Sequence, residues 1–183
     1  MTAPSPDDAR LLQDRALKDR HFASGRGPIT GERLRQFSGL HYFPPDPALK
    51  VEVPVEPGSG ETLEVQTTSG DVQTYVRYGQ ARFSLNGQQV QLALFARPGD
   101  EAPAQLFVPF RDATSGRLTY GAGRYLDVPL QRGPAGERVT LDFNRAYHPY
   151  CAYADGWSCP LPPPENTLPV AVLAGERLEP DRG

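Results

Sequence analysis

A chain of 183 residues with 38% hydrophobic and 22% charged positions is long enough to bury one sizeable core. Its net charge of −3 comes with no lysine- or arginine-rich run, which argues against a nucleic-acid partner, and no apolar run is long enough to span a bilayer. Glycine (18) and proline (20) together exceed a fifth of the positions, and because apolar alternation runs between them they read as turns joining short strands.

The first residues, MTAPSPDDARLLQDR, have no basic n-region and no apolar h-region, so the chain reads as a cytoplasmic protein without a secretory leader. Ser5-Pro6-Asp7-Asp8 supplies a helix cap, a proline at the first helical position and first-turn acids. A helix then follows to about Phe22, with Ala9, Leu12, Ala16 and Leu17 as its apolar stripe. Gly25 and Gly27-Pro28 break it, and a second short helix from Thr30 carries Leu34 and Phe37 inward.

From Leu40 the period becomes two. Val51, Val53 and Val55 form a strand that Pro54 assigns to an edge. A two-residue turn at Ser69-Gly70 sets Thr67 opposite Val72, Val65 opposite Thr74 and Leu63 opposite Val76. Asn86-Gly87 is the preferred type I′ hairpin dipeptide and sets Phe83 against Val90 and Ala81 against Leu92. Further strands are expected at 106–110, 118–120, 125–130, 139–143 and 168–173. About ten short strands without intervening helices give a mainly β, antiparallel, barrel-like or sandwich domain with one or two short N-terminal helices. The expected division is a helical segment over 1–38, a β domain over 39–178 and a frayed tail over 179–183, all within one domain.

Two stretches do not read as scaffold. Residues 144–167 lack strand or helix pattern, yet hold Tyr147, Tyr150, Tyr153, the single tryptophan Trp157, and both cysteines. So long a connection rich in large apolar groups and prolines is an ordered loop packed on the sheet. In residues 110–126, Gly121-Ala122-Gly123 sits between strands instead of before a helix, so a bulge or close backbone crossing is expected and not a phosphate loop.

These stretches carry a resemblance. Phe110-x-Asp112-x-Thr114-x-Gly116-x-x-Thr119-Tyr120-Gly121-x-Gly123-Arg124-Tyr125-Leu126 resembles the signature of the bacterial and archaeal domain-of-unknown-function family 1684. So do Asp142-Phe143-Asn144-x-Ala146-Tyr147-x-Pro149-x-Cys151-Ala152-Tyr153, the Cys159 to Asn166 stretch, and Ala174-Gly175-Glu176. The resemblance covers nearly the whole chain and implies no particular activity. His148 stands where the family pattern has asparagine, so no role that demands an imidazole is expected there.

Cys151 and Cys159 form either a disulfide or a pair of inert thiols, and the latter is the default in a reducing cytoplasm. A metal set of His148, both cysteines and Asp155 or Glu165 matches no standard zinc spacing, so neither metal nor other cofactor is expected. Asp112, Thr114, Tyr120, Arg124, Asn144, Tyr147, Tyr153, Glu165 and Asn166 remain as ligand-binding candidates. Each has a structural alternative, such as a salt bridge of Arg124 with Asp112 or Glu165, and turn or cap roles for Thr114, Asn144 and Asn166. The leading expectation is a soluble module binding a small molecule or peptide between residues 110–126 and 144–167, with Tyr120, Tyr125, Tyr147, Tyr150, Tyr153 and Trp157 as wall material. A hydrolase or isomerase using carboxylates there, and a protein-interaction module, are the alternatives.

Overall fold

The structure is a computed structural model and describes residues 5–179. Helix α1 spans Pro6–Ala23, and its start is closed by a capping box: Ser5 Oγ accepts from Asp8 N at 3.1 Å while the Asp8 carboxylate accepts from Ser5 N. Its span matches the expected one, from Pro6 to about Phe22, to within a residue. Its inward face also differs from the expected stripe, because Leu12 and Leu17 are exposed and Leu11, Arg15, Lys18 and Phe22 face the body. Those four follow the helical period, but two of them are cations, which a hydrophobicity reading passes over. Arg15 reaches the carbonyls of Phe43 and Asn144 at 3.1 Å each. Helix α2 (Gly31–Arg35) begins after Thr30 as expected.

The strands are β1 (His41–Tyr42), β2 (Lys50–Pro54), β3 (Glu56–Pro57), β4 (Thr62–Gln66), β5 (Val72–Leu85), β6 (Gln88–Ala96), β7 (Gln105–Phe110), β8 (Arg124–Gly133), β9 (Gly136–Asp142) and β10 (Glu176–Arg177). The large antiparallel sheet runs β2-β9-β8-β7-β6-β5-β3, and β1 pairs with β10 apart from it. Because β2 and β3 are consecutive stretches at the two ends of that order, the sheet curls almost into a closed barrel. That decides between the barrel and sandwich forms. Pro54 lies in β2, at one end of the order, as its missing N–H requires.

The Asn86-Gly87 hairpin has the expected register, with Phe83 opposite Val90 and both turn residues at positive φ. The β4–β5 register is one residue away from expectation: Val65 faces Gln73 and Leu63 faces Tyr75. Thr67 N bonds Asp71 O, so the loop holds three residues instead of two, and every β5 side chain here changes face. Val72 is consequently exposed, while Tyr75 turns toward Phe95 and Phe107.

Alternate residues fill the barrel: Leu92 and Leu94 from β6, Leu106 and Val108 from β7, Leu126 and Val128 from β8, Val139 and Leu141 from β9. Leu168, Val170, Val172 and Ala174 join the same core, but residues 168–173 are not the strand expected. Pro169 has no N–H, and the other backbone groups are taken singly: Ala113 N bonds Val170 O, Leu168 N bonds Arg111 O, and Val172 N bonds the Asp112 carboxylate at 2.6 Å. The segment is a plug, not a ladder member. Residues 118–120 likewise form a turn, with a bridge between Ser115 and Thr119. Of the expected frayed tail, residues 180–183 lie outside the described residues.

Candidate functional site

Arg124 opens β8 and is 1% exposed. Its Nη atoms donate to the carbonyls of Val172 (2.9 Å), Ala174 and Glu176 (3.0 Å), and its charge lies 3.6 Å from Asp112. Burial pulls the guanidinium's pKa down and Asp112 opposes that shift. Asp112 in turn accepts from Thr114 Oγ1 (2.8 Å), Ser115 Oγ and Val172 N, and Thr114 also bonds Thr119 Oγ1 at 2.9 Å. Gly123 makes this possible: at φ +100 an added Cβ would lie 2.5 Å from Phe110 O, the close crossing expected of the glycine pair. Arg124, Asp112 and Thr114 therefore clamp the plug.

The other candidates disperse. Asn144 bonds the backbone of Asp46 through both side-chain atoms, at 2.8 and 2.9 Å. Glu165 forms a bidentate pair with Arg77 at the surface, away from Arg124's partners. The carboxylates of Asp112 and Glu165 thus have separate partners, and the acid–base alternative has no shared site. Asn166 is fully buried and bonds Ala93 N (2.8 Å), Ala93 O (3.0 Å) and Pro109 O (2.8 Å). Tyr153 donates to the buried Glu176 at 2.7 Å, and Lys18 pairs with that same carboxylate. Gly175, at φ +76, brings this strand within reach: a Cβ there would lie 2.5 Å from Ala146 O.

Cys151 and Cys159 are joined by a disulfide, and His148 Nε2 accepts from Tyr120 N at 3.2 Å, so the weighed metal set is not assembled. Burial, with Arg124 and Lys18 nearby, lowers the His148 pKa from 6.5 to about 3. The unfolded chain therefore binds a proton below pH 6.5 that the folded chain refuses until about pH 3, and stability falls as pH falls through that window. The expected slope is at most about 1.4 kcal/mol per pH unit from this one group. His148→Gln keeps an acceptor for Tyr120 N and should flatten the slope in urea titrations at pH values spanning the window. An unchanged slope would mean that other groups carry it.

What residues 147–160 do form is one wall of a cleft of about 670 Å³ against the outer face of β5–β8. Tyr75 and Phe107 stack at 5.3 Å, Phe107 meets Tyr125 edge-on at 4.8 Å, and Tyr125 meets Tyr147 at 5.7 Å. Tyr150 and Trp157, 4.9 Å apart, complete the opposite side, where Trp157 is 44% exposed. Of the nine candidates only Tyr147 lines this cleft; Tyr125, Tyr150 and Trp157 come from the wider aromatic set, while Tyr120 and Tyr153 do not. Tyr75, Phe107 and Asp127 were not among the expected site residues. The available signal was parity: Phe107 stands between core residues Leu106 and Val108, so an aromatic ring occupies an outward position. A second cleft of about 540 Å³ borders α2, with Arg33, Gln36 and Arg177 among its lining residues, and lacks such a run of rings.

Among the described residues no helix is long and apolar enough to cross a membrane. A family model described as a protein of unknown function (DUF1684) matches residues 35–177. The solution NMR structure of an uncharacterized protein from Haloarcula marismortui is similar to the whole chain, at 41% identity and a TM-score of 0.74 over 96% of each chain. No match was found among curated proteins.

Proposed function

We propose that this chain, which belongs to the DUF1684 family, is a soluble binding protein that holds a small organic molecule or a short peptide segment in the aromatic cleft. The carrying observation is the run of rings Tyr75, Phe107, Tyr125 and Tyr147 faced by Tyr150 and Trp157 across about 670 Å³. That volume and mix of rings with a few polar groups fit ligand sites generally. The cleft lies on the strand side of the loop, sharing only Tyr125 with the 110–126 region. The disulfide between Cys151 and Cys159 favours an oxidising compartment.

Trp157 is the only tryptophan, so its fluorescence reports on this cleft alone. In a screen of fragments and short peptides, binders should shift its emission and perturb the backbone amides of Tyr75, Phe107 and Tyr150. Tyr75→Ala should weaken them about tenfold through loss of one stacking ring. Binders that map to another surface, or affinities unmoved by Tyr75→Ala, would defeat the reading.

A further inference from the structure

The cleft's charge narrows its ligand. Asp127 lies directly opposite Phe107 in the β7–β8 ladder and two residues along the same face from Tyr125. The Tyr147 hydroxyl donates to its Oδ2 at 2.7 Å. Asp127 is exposed and joins no ion pair among the described residues, and its one side-chain hydrogen bond among them is to Oδ2, which leaves Oδ1 for a ligand. The charged residues lining the cleft are one arginine, Arg97, and two aspartates, Asp100 and Asp127, with no lysine, so the lining is net acidic. His148, which also borders it, is neutral and buried. Tyr75, Tyr125 and Tyr147 are all held in the uncharged phenol form by burial, and because Lys18 Nζ already lies 5.0 Å from the centroid of the Tyr147 ring, the rings of Tyr75 and Phe107 are the weak attractors of positive charge that the cleft offers.

Resting on the binding role of the cleft, we infer that it recognises an organic cation, an alkylammonium or guanidinium group whose N–H bonds Asp127 and whose carbon-bound face lies on the rings of Tyr75 and Phe107. An anionic ligand has only Arg97 to meet it, at the exposed rim beside the 97–100 turn. The cation is either a free amine or the side chain of a lysine or arginine in a peptide, and the chemistry of contact is the same.

The test uses the full chain and three linear alkyl probes of similar length: n-butylammonium, neutral n-pentanol and anionic valerate, titrated by amide NMR and Trp157 emission. Butylammonium should perturb Tyr75, Phe107, Asp127 and Trp157, and weaken as salt rises. Asp127→Asn, which still accepts from Tyr147, should weaken butylammonium about tenfold and leave pentanol unchanged. A lysine tripeptide binding more tightly than butylammonium assigns the cation to a peptide, and equal binding assigns it to a free amine; both uphold the inference. Pentanol or valerate binding as well as butylammonium, or butylammonium indifferent to Asp127→Asn, overturns the inference while leaving the cleft a binding site. No response to any probe of either charge or none overturns both.

Discussion

Arg124→Met lowers the unfolding free energy by about 3–5 kcal/mol, although methionine fills much of the same space. Two losses add. Asp112 keeps its bonds from Thr114, Ser115 and Val172 N but loses the cation that pairs with it among the described residues, inside a site where both side chains are 1% exposed. The carbonyls of Val172, Ala174 and Glu176 lose the donors that hold the plug in the barrel. Asp112→Asn in the same background removes the stranded charge, so the double variant should be less destabilised than the sum of the two singles. Urea denaturation of the four proteins measures the cycle. A loss below about 1 kcal/mol for Arg124→Met would mean the plug is held by its apolar residues alone. Since neither side chain reaches the cleft, probe binding by folded Arg124→Met protein should match the parent, which separates structure from recognition.

How far the sequence went depends on what each segment bonds to. The Asn86-Gly87 hairpin was legible because its register is set by the turn itself, two residues with positive φ. The β4–β5 register was not, because Ser69-Gly70 is compatible with loops of two or three residues and the difference lies in a Thr67–Asp71 bond. Residues 168–173 alternate like a strand and are buried like one, but their partners are isolated backbone groups and the side chains of Arg124 and Asp112, which no periodicity encodes. The rings and prolines of the loop at 144–167 were legible, being local facts. Its place as a cleft wall was not, because the other wall comes from residues 73–127, and only the fold brings Tyr75 and Phe107 against it. Arg124, Asp112 and Asn166 drew attention as polar residues in dense motifs. Polar groups in such motifs serve burial as often as chemistry, and here each satisfies backbone that the barrel leaves unpaired.

Asn166→Ala is the second large effect, and it couples the fold to the cleft. Strands β6 and β7 share a single ladder position, Phe95 opposite Phe107. Next to it the Asn166 amide takes the place of the missing ladder, accepting from Ala93 N and donating to Ala93 O and Pro109 O. Alanine would strand one buried donor and two acceptors, for an expected loss of about 3–5 kcal/mol. Asn166→Asp is the sharper variant. It preserves size and the acceptor for Ala93 N, but turns a carboxylate lone pair toward two carbonyls, so it should be at least as unstable at neutral pH. The introduced carboxyl is stabilised only when protonated, its folded pKa is raised, and stability relative to Asn166→Ala should recover as pH falls. Both variants loosen β6 from β7, and Phe95 and Phe107 belong to the cleft floor. Hydrogen exchange at those two amides should accelerate ahead of global unfolding, with butylammonium binding weakened in parallel. Exchange that rises only with global unfolding would show that Asn166 stabilises the barrel as a whole and leaves the cleft floor to Phe95 and Phe107 themselves.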